Sequence, residues 1–250
     1  KSHIDRRYGN ILLDTQVVNN SKYMSGHMKY LLEDLSIAKP NLESRVLYNH
    51  VNFSSSTNFN NVYIYGVPRF EIKSSGTKLV NFLSPSQKSA ILNSLEPVKT
   101  LTTDPIIMDP VYIALDIGTN LPGETVTTDI RPKCNITIVK TKNSQRDSAI
   151  IRKEVVEKII VSFGTAATLG QLIDLSNIYN NIISIDGIDD VYMTRTDDPT
   201  FKSPGISFLM WNPVYPAVDI SIISQNQQLP YFKFPYLYDE RCLLGKITVA

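Results

Sequence analysis

An α+β fold is expected from this sequence. Apolar residues recur at three- and four-residue spacing in four separate segments, 21–35, 84–95, 144–163 and 169–183. Between them lie short runs rich in β-branched and aromatic residues, above all 62–67 and 111–117. After Pro199, prolines and aromatic rings displace helical periodicity. The expected architecture is two small helix-plus-sheet units followed by an extended β-rich C-terminal tail. An irregular segment covers 1–14, a first α+β unit 15–105, a second 106–200, and the tail 201–250.

Residues 1–18 read as irregular, with a short Ile11-Leu12-Leu13 run. Asn19-Asn20-Ser21 offers a helix cap. Tyr23, Met24, His27, Met28, Tyr30, Leu31, Leu32 and Leu35 then follow at helical spacing until Pro40. Residues 46–53 alternate apolar and polar, as a half-buried strand does, and 54–61 form a polar loop. The run 62–67 is a more central strand, and 73–81 is another polar connection. Ser84 can accept from the amide of Gln87 while Gln87 reaches back to Ser84. That is a capping box, reinforced by Pro85 at the first helical position. Ala90, Ile91 and Leu95 form its expected buried stripe, and Pro97 stops it.

Asp104-Pro105 and Asp109-Pro110 bracket Ile106-Ile107-Met108. A strand over 111–117 and a turn over 118–123 come next. A strand over 134–140 follows, with Ile136 and Ile138 on one face. Ser144 is the expected cap of a helix reaching Phe163. Ile151, Val155, Val156, Ile159, Ile160 and Phe163 share its apolar face, and Arg152, Lys153, Glu154 and Lys158 solvate the other. Gly164 is placed to end it. Thr168-Leu169-Gly170-Gln171 reads as a second capping box, opening a helix that carries Leu172, Ile173, Leu175, Ile178, Tyr179 and Ile182. Gly187 marks its end and the entry to a strand over 188–194. In the tail, short strands are expected over 206–210 and 218–223, separated by Trp211 to Pro216. An extended stretch then runs from Leu229 to Tyr238.

Composition narrows the function classes. With 42% apolar and 20% charged residues the chain is globular, and 25 basic against 24 acidic residues leave a net charge of +1. No basic block supports nucleic-acid binding. No apolar run reaches the roughly 18–20 residues of a membrane-spanning helix. The chain begins at Lys1 without a leader-like segment or initiator Met, and is expected to be a piece of a longer protein. Cys134 and Cys242 are too few for a disulfide framework; Cys134 is expected to be a buried thiol, and synthesis in a reducing cytosol follows. The Asn-x-Ser/Thr triplets at Asn19, Asn52 and Asn135 carry little weight without a secretory signal.

Residues with chemical potential do not group into a catalytic pattern. Asp186, Asp189, Asp190, Asp197 and Asp198 form the most acidic stretch. Paired carboxylates of this kind serve glycosidases or hold calcium, but the spacing does not match an EF-hand loop. Turn and rim carboxylates are the plainer reading. His3, His27 and His50 lack zinc-ligand spacing. Gly164 to Gly170 superficially resembles a phosphate loop but has no Lys. No catalytic residue, metal or cofactor is therefore expected. The tail offers Trp211, Tyr215, Tyr231, Phe232, Phe234, Tyr236 and Tyr238, seven rings interleaved with four prolines within 28 residues. They are the candidate subunit contacts, because a proline-stiffened arm loses little entropy on binding. Packing on the chain's own core and stacking on a sugar are the alternatives.

The order of elements resembles a known family. Thr15-Gln16-Val17-Val18 stands before a helix. Leu83-Ser84-Pro85-Ser86-Gln87, with Ile91 and Leu95, makes a short helix. Two Asp-Pro pairs precede the 111–117 strand. Phe163-Gly164, the 169–183 segment, then Gly187-Ile188 and Val191 close the region. This order, spanning Gln16 to Met193, is similar to the C-terminal half of the baseplate J-like family, including inner-ring wedge subunits of T-even-type contractile-tail phages. The resemblance implies a structural, non-catalytic role in the virion tail. Its implied partners are other baseplate wedge subunits and copies of the chain itself, with no nucleic acid or membrane. A virion receptor- or glycan-binding module is the alternative, and a hydrolase using the acidic turn is a third reading.

Overall fold

The computed structural model describes residues 12–18, 61–99, 104–165, 167–214 and 220–250. The expected helix after Asn19 and the strand over 46–53 lie outside them, as do the three histidines and Tyr215. In chain order, β1 (Leu12–Val18), β2 (Asn61–Pro68), β3 (Glu71–Ile72), β4 (Lys78–Leu79), α1 (Pro85–Leu95), β5 (Asp104–Met108) and β6 (Val111–Ile117) come first. Then follow α2 (Ile130–Lys133), β7 (Cys134–Lys140), α3 (Ser148–Ile160) with a π-helical turn at Val161–Thr165, β8 (Leu172–Ile173), α4 (Leu175–Ile183) and β9 (Ile188–Arg195). The last are β10 (Lys202–Pro204), β11 (Phe208–Trp211), β12 (Ser221–Ile223), β13 (Gln227–Gln228), β14 (Lys233–Leu237), a 3-10 turn at Cys242–Lys246 and β15 (Ile247–Val249). The mixed α+β class is as expected.

The chain divides into two compact units. Residues 1–71, 80–111 and 231–233 form the first, and 72–79, 112–230 and 234–250 the second. The change at 111/112 falls just after the expected boundary. The expected separate tail is corrected: apart from 231–233, residues 201–250 belong to the second unit.

In the first unit β2 is the central strand, as its composition suggested. It pairs antiparallel with β1 and parallel with β5, Ile64 facing Val17 on one side and Ile107 on the other. The 12–14 part of the expected irregular segment is thus strand, held by ladder bonds that propensity does not report. Ile64, Leu83 and Ile91 make the buried cluster, flanked by Val62, Leu95 and Ile107. Helix α1 begins as read. The Gln87 amide donates to Ser84 Oγ at 3.3 Å, and the Ser84 amide donates to Gln87 Oε1 at 2.9 Å. Its stripe differs: Ala90 is exposed and Ser94 is buried, its hydroxyl donating to the Ile91 carbonyl at 2.7 Å. Ser84→Ala is expected to cost about 1 kcal/mol in urea unfolding, while Ser89→Ala on the exposed face stays near neutral.

The second unit holds two four-stranded sheets. One runs β12-β11-β6-β14, the other β10-β9-β7-β15. Every residue of β6 is buried. It pairs antiparallel with β11, Leu115 facing Met210. Gly118 lets the chain pass Leu209, whose Cβ would lie 2.6 Å from any Cβ added there. In the other sheet, β7 pairs antiparallel with β9 and parallel with β15. Helices α3 and α4 pack on this sheet, α3 against β15 and α4 against β9. The buried face of α3 is Ile151, Val155 and Ile159, continued by Phe163 in the π turn. Four-residue steps place these side chains in one row. Phe163 meets Phe208 of β11 edge-on at 5.2 Å.

Two helix starts are corrected. Asp147, not Ser144, caps α3, accepting from the Ala149 amide at 2.9 Å. Ser144 instead lies over Gly187, whose φ of +89° and lack of a Cβ make room for it. Asp174, not Thr168, caps α4, accepting from the Asn177 amide at 3.0 Å. Half of the expected box forms, since the Thr168 amide donates to Gln171 Oε1 at 3.1 Å. Leu172 and Ile173 then pair with Gln228 and Gln227 as β8 and β13, which postpones the helix.

Candidate functional site

Four of the seven rings of the expected tail are core residues. Trp211, Phe232, Phe234 and Tyr236 are buried, each 4% exposed or less. A ring with almost no surface in the free chain cannot become an interface hot spot without local unfolding, so the contact-arm expectation is corrected for these four. Tyr231 and Tyr238 are half-buried, and Tyr215 lies outside the described residues. In the first unit Tyr231 meets Tyr65 edge-on at 5.8 Å. In the second, Tyr112 meets Phe234 at 6.3 Å and Tyr236 at 6.2 Å, also edge-on. The prolines act as the sequence suggested in one respect: Pro235 sits in β14, the end strand of its sheet, where a missing N–H breaks no ladder.

Charged groups sit beside these rings. Arg131 stacks over Trp211 at 5.3 Å and Tyr238 at 4.5 Å, and those two rings lie 5.1 Å apart. Guanidinium over an aromatic face is attractive and covers apolar surface. The same Arg131 comes within 4.0 Å of Asp116, a carboxylate only 3% exposed near the end of β6. Asp116 accepts from Lys246 at 2.6 Å and from the Ile117 amide at 2.8 Å. Burial pushes its carboxyl above the ordinary range, and Lys246 opposes that shift. The signal was present in the sequence: a carboxylate inside an otherwise apolar strand needs a buried partner. Which partner it takes was not readable.

A second network centres on Arg195 at the end of β9. Its side chain is fully buried. It donates to Glu124 at 2.6 and 3.0 Å, to Asp197 at 2.8 and 2.7 Å, and to the Thr119 carbonyl at 3.0 Å. Lys133 adds a longer pair to Asp197 at 3.4 Å. The neighbouring Cys134 thiol is buried as expected, donating to the Ile130 and Thr119 carbonyls at 3.1 and 3.2 Å, and burial pushes it up. Hydrogen bonds from Arg195 hold the Asp197 carboxyl well below the ordinary range and lower Glu124 as well. Both therefore bind protons less readily in the folded chain than in the unfolded one. Their stabilisation is complete above about pH 5 and is lost toward about pH 2. Melting temperature is expected to fall over that interval, and more shallowly in Asp197→Asn. The Asn variant isolates this contribution from Asp116, whose shift has the opposite sign.

The acidic stretch is distributed among structural tasks. Asp190 accepts from Tyr179 at 3.3 Å, Asp197 belongs to the Arg195 network, and Asp198 accepts from the Thr200 hydroxyl and amide at 2.6 and 3.0 Å. Asp186 and Asp189 are exposed. An open groove of about 480 Å³ is lined by Glu154, Glu157, Lys158, Val161, Ser184 and Ile185. Its Glu154 is already held by Arg146 at 2.6 Å. Among the described residues, no three His, Cys, Asp or Glu side chains converge as metal ligands would. Compared with protein-family models and with curated proteins, the chain matches none of them.

Proposed function

We propose that this chain is a structural subunit of a contractile-tail baseplate wedge, joining neighbouring subunits and copies of itself into the ring around the tail hub. The observation that carries the reading is the order of elements. Helix α1 with its capping box, strand β6, helices α3 and α4, and the Gly187-Ile188 entry to β9 follow one another in an order that supports the reading. The role is non-catalytic and belongs to the virion tail, with synthesis in the host cytoplasm. The glycan-binding alternative rested on aromatic rings open to a ligand, and burial of Trp211, Phe232, Phe234 and Tyr236 removes that support.

Cross-linking mass spectrometry on the purified parent particle tests the reading. Links from surface lysines, Lys153 and Lys158 among them, to other tail subunits are the expected result. A particle whose links from this chain stay within one copy would sink it, as would turnover of a glycan, peptide or ester that disappears in Asp189→Asn.

A further inference from the structure

No further inference is drawn: the strongest candidate, the open groove between α3 and the end of α4 lined by Glu154, Glu157, Lys158, Val161, Ser184 and Ile185, carries nothing, because Arg146 and Lys153 already face its two carboxylates and nothing in the structure shows what covers it.

Discussion

Removal of residues 226–250 is expected to abolish the cooperative thermal transition of the chain. The deletion takes β14 away from β6, the fully buried strand of the second unit, where the Tyr238 amide donates to the Leu115 carbonyl at 2.9 Å. It also removes the buried side chains Phe234, Tyr236, Leu237, Leu243 and Ile247. Each large apolar side chain contributes roughly 1.5–3 kcal/mol by burial, so the loss is comparable with the roughly 5–15 kcal/mol that holds a domain together. In the first unit the deletion takes Tyr231 from the edge of Tyr65. Circular dichroism and calorimetry on the shortened chain check this. A sharp transition close to that of the full chain would return the segment to the status of a detachable arm.

Ile159→Asp is expected to unfold or insolubilise the second unit. Ile159 has no exposed surface and lies in the α3 row with Ile151, Val155 and Phe163. An unpaired carboxylate there costs several kcal/mol beyond the lost burial. Its neighbour Lys158 is exposed, and Lys158→Asp should shift the melt by less than about 0.5 kcal/mol, the range of ordinary surface changes. The comparison is between adjacent residues, so composition and position along the chain are held nearly constant. Equal melting temperatures for the two variants would show that the helix presents another face to the sheet.

Much of both units was legible one element at a time. The 111–117 and 134–140 strands appear with the expected ends, and the α1 capping box forms with both of its bonds. The buried row of α3 is the one its spacing implied, although Val156 and Ile160 are only half-buried. The misplaced helix starts share a cause. Ser144 and Thr168 are good caps by residue type, but Asp147 and Asp174 lie nearer the first residues that packing draws into helix. Among several adjacent capping residues, tertiary contact chooses.

The aromatic segment shows the limit most clearly. Prolines and rings at this density read as an arm, and by composition an arm and a buried edge strand look alike. Pro235 is compatible with either. What separates them is whether a partner surface exists elsewhere in the same chain, and β6 provides it more than a hundred residues away in sequence. The charge networks follow the same rule. Asp116 inside an apolar strand announces that some cation must meet it, yet its closest partner, Lys246, comes from 130 residues away. Periodicity, capping chemistry and strand composition act over a few residues, and a single sequence therefore reveals them. Strand order, the partners of buried charges and the exposed edge of a sheet depend on contacts between remote segments, which only the folded chain brings together.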